Sequence, residues 1–148
     1  MNKQTRLPET IDKFWETVPP AWHQTRAKIR GVAAEKFHLT VEQFQVLRRI
    51  RRGIASVSTL AVANRTSRSS VSKAVDSLVN KGLVSRRQDP ADRRNIPLAL
   101  TGEGERVMTG IYDETERWLA ERFSRLNETE LETLLPAMDL LQKAFAEN

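Results

Sequence analysis

Between positions 67 and 73 the chain reads Ser-Arg-Ser-Ser-Val-Ser-Lys, four hydroxyls and two cations in seven residues. Ser67, Arg68, Ser69, Ser70, Ser72 and Lys73 are small or cationic groups of the kind that bond to base edges and phosphate oxygens. Serine competes for its own backbone inside a helix, so this density is unfavourable unless the hydroxyls have another use. Further on, Asp89-Pro90-Ala91-Asp92-Arg93-Arg94 puts two arginines at the end of a short loop. An arginine on a loop tip fits the narrow minor groove, where the potential is most negative. Asp92 would be unwelcome beside phosphate unless it positioned Arg93 or Arg94. The plain structural alternatives are a solvated serine-rich helix start and an exposed turn held by a local ion pair.

The elements that must position these groups follow from the surrounding pattern. Ser67 is placed to cap a helix in which Val71, Val75 and Leu78 recur at i, i+4 and i+7, with Ala74 beside them. Ser69, Ser72, Lys73, Asp76 and Asn80 fall on the opposite face, and Gly82 ends the helix. Residues 83–88 and 96–100 read as a hairpin, with Pro97 requiring an edge because it has no amide to donate. Upstream, Thr40-Val41-Glu42-Gln43 is a capping box. The helix it opens turns Phe44, Leu47 and Ile50 inward, carries Arg48, Arg49, Arg51 and Arg52 on its other face, and closes at Gly53. Ser56 caps a very short helix with Val57, Leu60 and Ala61 inward and Asn64 as its stop. These parts, in this order, are those of a winged helix-turn-helix.

The flanks are helical. Ile11, Phe14, Trp15 and Val18 have helical spacing before Pro19-Pro20. The rule against internal proline predicts one helix over 9–18 and a second restarting near Pro20, with Trp22, Ile29 and Val32, ending before Phe37. Thr101 caps a long helix to about Leu126, in which Gly102, Gly104 and Gly110 call for a bend or close packing. Asn127 to Glu130 form a second capping box, and Leu131, Leu134, Met138, Leu141 and Phe145 follow near heptad spacing, with a kink expected at Pro136. The expected fold class is mainly α with a small β-hairpin wing. A winged helix-turn-helix over 39–101 lies between helices in 1–36 and 102–148.

Charge follows the same division. From Arg48 to Arg94 there are twelve Lys/Arg and three acids, a net of +9; the remainder has twelve basic and sixteen acidic residues, a net of −4. A basic middle between mildly acidic ends outlines a nucleic-acid-binding core. There is no cysteine, which excludes disulfides and thiolate chemistry. No apolar run approaches the roughly 20 residues of a membrane span, and the polar N-terminus is unlike a signal peptide, so a cytoplasmic protein with no membrane partner is expected. An enzyme is disfavoured. Gly102-Glu103-Gly104-Glu105 lacks the ending of a phosphate loop, and histidines at 23 and 38 alone support neither a catalytic constellation nor a metal site. No cofactor is implied. A helical protein-interaction module with an incidental basic face is the other class to weigh; it would lack the steep salt dependence of phosphate contacts.

The stretch from Leu39-Thr40 through Leu60-Ala61, Ser67 to Leu78 and Lys81-Gly82-Leu83-Val84 to Asp89-Pro90-Ala91-Asp92-Arg93-Arg94 and Leu100-Thr101 resembles the multiple-antibiotic-resistance regulator (MarR) family of winged-helix transcription factors. The resemblance implies a homodimer with intertwined terminal helices and two recognition helices in successive major grooves of a pseudo-palindrome. It implies wings in the minor grooves, with Arg93 at the tip and Asp92 and Arg94 orienting it or meeting phosphate. It further implies a repressor, released in many members by a small anionic aromatic compound, unless DNA binding here is ligand-independent. Trp15, Trp22, His23 and Arg26, with His38, are the residues that would suit an aromatic carboxylate; the alternative is that they fill a dimer core. The chain departs from the family at the turn where Asn64-Arg65 stands in place of a Leu-Gly-like pair, and at Pro19-Pro20 and Pro136 in the flanking helices. Cysteine-based oxidant sensing, used by one branch, is impossible here.

Overall fold

Each helix between residues 40 and 80 starts where a side chain satisfies an orphan amide. In the computed structural model, which describes residues 2–92, 94 and 96–147, Thr40 and Gln43 exchange both bonds of the capping box, Ser56 accepts from the Thr59 amide, and Ser67 accepts from the Ser70 amide. The elements are α1 (Lys3–Phe37), α2 (Val41–Arg51), α3 (Val57–Asn64), α4 (Arg68–Asn80), β1 (Val84–Arg86), β2 (Leu98–Leu100), α5 (Gly102–Phe123) and α6 (Glu128–Ala144). They divide into one unit through Thr115 and another from Glu116.

In the first unit the apolar stripes meet in one core. Phe44, Val46, Leu47 and Ile50 of α2, Leu60 and Ala61 of α3, and Val71, Ala74, Val75 and Leu78 of α4 are buried together. Val32 and Ala33 near the end of α1 and Val107, Met108 and Ile111 of α5 close the cluster. The hairpin is antiparallel, pairing Val84 with Leu100 and Arg86 with Leu98, so that Val84 and Leu98 face the core. The Leu98 amide donates to the Ala55 carbonyl at 2.9 Å, tying the hairpin to the α2–α3 connection. Pro97, just before β2, accepts from the Arg87 amide through its carbonyl and leaves no donor unmet.

The strands are shorter than the expected 83–88 and 96–100, and three helix boundaries also differ from the sequence expectation. α1 is one helix and runs through Pro8, Pro19 and Pro20. Proline's fixed φ is helical, and the carbonyls deprived of donors by Pro19 and Pro20 belong to Trp15 and Glu16, both exposed and accessible to water. α3 is stopped by Arg65 rather than Asn64. Arg65 adopts a left-handed φ of 52°, and the amides of Arg65 and Thr66 return to the carbonyls of Val62 and Ala61. Asn64 remains the last helical residue, its side-chain amide atoms buried with no hydrogen-bond partner among the described residues, and the next residue takes the turn. α5 ends at Phe123, three residues before the expected Leu126.

Gly82, at φ 74°, ends α4 as expected: the amides of Gly82 and Leu83 bond to the carbonyls of Val79 and Leu78. Glycine at 104 answers a different need. A Cβ there would lie 2.1 Å from the Leu83 carbonyl oxygen, while at Gly110 it would meet the Phe37 ring at 2.9 Å. Close packing is therefore the reason for these two glycines in α5.

The second unit consists of the end of α5 and α6. Asn127 and Glu130 form the expected capping box, and α6 continues through Pro136. Arg122 stacks over Trp118 at 4.8 Å. Among the described residues no helix is long and apolar enough to cross a membrane.

Gly104→Ala should destabilise the chain by about 3 kcal/mol or more, because the obstacle is backbone rather than a movable side chain. Gly102→Ala, whose Cβ would meet only the Arg106 guanidinium at 3.8 Å, should be neutral or stabilising by up to about 1 kcal/mol. Urea unfolding of the two variants checks the pair.

Candidate nucleic-acid interface

α4 buries one face and offers the other. Ser67, Arg68, Ser69, Lys73, Asp76 and Asn80 are exposed, and Ser70 and Ser72 are half-buried. Ser67 is occupied as the helix cap, its oxygen accepting the Ser70 amide at 3.0 Å, and its own proton stays available to an outside acceptor. Arg68, Ser69, Ser72 and Lys73 make no side-chain bond to another described residue, so the structure leaves these groups for an external partner.

Ser70 differs from its neighbours. Its hydroxyl faces the Glu42 carboxylate of α2, 2.8 and 3.0 Å from the two oxygens, and is taken by the protein itself. Asp76 also has a partner, an ion pair with Arg86 of β1 that joins the outer face of α4 to the root of the hairpin. Sequence reasoning missed both bridges. Glu42 entered the sequence reading only as part of the capping-box tetrapeptide, and Asp76 and Arg86 are ten residues apart in separate elements.

In the hairpin loop the acids shape the backbone. Asp89 Oδ1 accepts the Ala91 amide at 2.9 Å, and Asp92 Oδ1 accepts the Arg94 amide at 3.0 Å, two local Asx turns in succession. Asp92 therefore fixes the loop through the chain, and Arg94 is exposed beside it. Arg93, the expected tip, lies outside the described residues.

The arginines of α2 divide in two. Arg51 is held by Glu105 at 3.2 Å and by the Thr109 hydroxyl at 3.3 Å, with the Tyr112 ring 6.0 Å away. Arg48 and Arg49 are half-buried, and the Nε of each is buried with no hydrogen-bond partner among the described residues. Burial holds the Arg48 guanidinium below its ordinary pKa, and the charges of Arg52, Arg49 and Arg26 push it the same way, while Tyr112 opposes them. Arg26, Arg48, Arg49 and Arg52 are thus close enough for the charge of each of the others to act on Arg48. Trp15, Trp22, His23 and Arg26 lie exposed along α1, and the two indoles are 66% and 54% accessible, an open stripe rather than a pocket in the single chain. Arg26 is the member that reaches the α2 cluster.

A model of the MarR family matches residues 38–95. The transcriptional regulator HosA of Escherichia coli O127:H6 is 31% identical over 121 residues, covering 78% of this chain and 89% of that protein. An HTH-type transcriptional regulator of Mycobacterium bovis is 29% identical over 89 residues, 60% of this chain; the match spans 62% of the relative's own length. Among solved structures, a transcriptional regulator of Thermotoga maritima superposes with a TM-score of 0.82 at 25% identity, covering 90% of this chain and 94% of that one.

Asp76→Asn removes a negative charge from the outer face of α4 and releases Arg86. The pair is solvent-exposed, so stability should change by no more than about 1 kcal/mol. Affinity for duplex DNA at low salt should rise severalfold, read by fluorescence anisotropy.

Proposed function

Since the chain belongs to the MarR family of transcriptional regulators, we propose that it works as a homodimer that binds double-stranded DNA at a pseudo-palindromic operator. α4 enters the major groove, and the loop around Arg93 enters the flanking minor groove. The observation that carries this reading is the outer face of α4, where Arg68, Ser69, Ser72 and Lys73 are unpaired within the described chain above a well-buried stripe. The helix N-terminus adds a positive dipole end for a phosphate.

Dimerisation is supported by what a single chain leaves in water. Leu135, Met138 and Leu140 of α6 and Phe145 just after it are exposed, as are Leu7, Ile11, Trp15 and Trp22 of α1. Runs of this kind on a monomer mark a surface that is covered in the working assembly. We assign the cover to a second copy, which is also what a two-fold operator requires. Sedimentation at micromolar concentration should give a dimer, and a footprint should show half-site centres about 10 bp apart. Lys73→Ala should reduce the slope of log affinity against log salt by about one. Arg93→Ala should weaken binding to specific and random duplexes alike. A monomer that shifts no duplex at low salt would identify the chain as a protein-interaction module instead.

As a repressor, the protein needs a means of release, and Arg48 is the group that supports one. A half-buried guanidinium with an unbonded Nε, among Arg26, Arg49 and Arg52, is suited to a carboxylate, and the aromatic residues of α1 suit a ring. Benzoate and its hydroxylated analogues are the probes to titrate by calorimetry. Arg48→Met, which keeps the apolar stem, should lower their affinity at least tenfold and leave DNA binding in their absence intact. Equal affinity in the variant would remove Arg48 from the site, and failure of every aromatic acid to bind would make the regulator ligand-independent.

A further inference from the structure

Two adjacent residues of α2 grip α4 at two points on one edge. Glu42 takes the Ser70 hydroxyl at 2.8 Å. Gln43 Nε2 donates to the Ser77 hydroxyl at 3.0 Å. Ser70 and Ser77 are seven residues apart, two turns along the same side of the helix. Gln43 is itself fixed, its Oε1 accepting the Thr40 amide at 3.0 Å and Lys81 Nζ at 3.4 Å. Lys81 in turn donates to the His38 carbonyl at 2.8 Å. Ser70 is clamped twice, since its amide goes to Ser67 while its hydroxyl goes to Glu42. A cleft of about 220 Å³ lies along this edge, lined by Thr40, Glu42, Gln43, Ser70, Lys73 and Ala74.

Such a grip controls what apolar packing leaves loose. The buried face of α4 is Val71, Ala74, Val75 and Leu78, side chains whose attraction to the core has no direction. A helix with side chains has a radius of about 5–6 Å, so a roll of about 20° moves a tip by about 2 Å. Hydrogen bonds to base edges tolerate only a few tenths of an ångström. The roll of α4 therefore decides whether Ser69, Ser72 and Lys73 reach their acceptors, and two fixed points on one edge set that roll.

The choice of a carboxylate at 42 is informative. It accepts more strongly than a neutral group, and it sits against the positive end of α4. It also repels every phosphate that approaches, whatever the sequence. We propose that Glu42 is a positioning residue for sequence discrimination: through Ser70 it fixes the roll of the recognition helix and disfavours non-specific binding. On this assignment Ser70 belongs to the frame that holds the readers and is not itself a reader. The inference rests on α4 being the DNA-reading helix, as proposed above.

The test compares a duplex selected by the wild-type protein from a random pool with a scrambled duplex of the same composition. It uses the full-length chain at a temperature well below unfolding. Glu42→Ala should lower the ratio of specific to scrambled affinity about tenfold, while affinity for the scrambled duplex holds or rises. Ser70→Ala should reproduce the loss of ratio, and the double variant should lose no more than either single one. Glu42→Gln, which keeps an acceptor and drops the charge, should hold the ratio within about twofold and raise affinity for both duplexes. A purely structural role would lower the melting temperature and leave the ratio untouched, which overturns the proposal. So does a loss of ratio in Ser70→Ala with none in Glu42→Ala, which would make Ser70 a direct reader. If Glu42→Ala fails to fold, Ser70→Ala and Glu42→Gln carry the decision. A wild-type chain that binds no duplex defeats the DNA-binding reading itself, an outcome distinct from these.

Discussion

The outward face of α4 depends on one narrow apolar stripe. α4 is held by Val71, Ala74, Val75 and Leu78, and everything presented outward is presented from the back of that contact. Burying a valine or leucine side chain contributes about 1.5–3 kcal/mol, enough for three such residues to fasten a helix of 13 residues. The same helix has four serines that add little to helical stability. Tertiary burial therefore keeps α4 folded, and its polar face is free to be chosen for contact. The Gly82 turn then sends Leu83 straight back into the core, so the hairpin starts from a buried residue rather than from a loose loop.

Local chemistry was legible where a rule involves neighbours in sequence. The caps at Thr40, Ser56, Ser67 and Asn127, the stripes of α2 and α4 and the Gly82 stop all depend on residues within a few positions of each other, and all stand as read, while the hairpin is present with shorter strands. What escaped depends on environment or on distance in the chain. Pro19-Pro20 was read as a break because the rule assumes that lost hydrogen bonds stay unmet, whereas the carbonyls they deprive belong to exposed residues that water can reach. The stop of α3 fell one residue late because the Asn64 side chain is buried and Arg65 is the residue left to turn. The close approach of Gly104 to Leu83 was half visible, as an excess of glycine without a stated neighbour. In the candidate site, residue types at 67–73 pointed to a polar outer face but could not separate Ser70 from the rest. That distinction lies in Glu42, 28 residues upstream.

The acids of the basic segment share one logic. Asp76 is bound to Arg86, Asp89 and Asp92 bond to the amides of their own loop, and Glu42, just outside the segment, holds Ser70. Each carboxylate near the outward face is thus committed inward, to a cation, an amide or a hydroxyl. The basic surplus seen in the sequence is spread over a surface whose few negative groups also serve to set geometry.

Gly104 has a mechanical consequence. The Leu83 carbonyl receives the Thr101 amide at 3.1 Å and stands where a Cβ of residue 104 would be, while the Thr101 hydroxyl reaches the Gly82 carbonyl at 2.5 Å. The first turn of α5 and the root of the hairpin are therefore in backbone-to-backbone contact, with no side chain between them to act as a cushion. Side chains yield by changing rotamer; peptide planes at this spacing do not. A tilt of the first turn of α5 has to carry the hairpin with it, like a lever fixed to its blade without a joint.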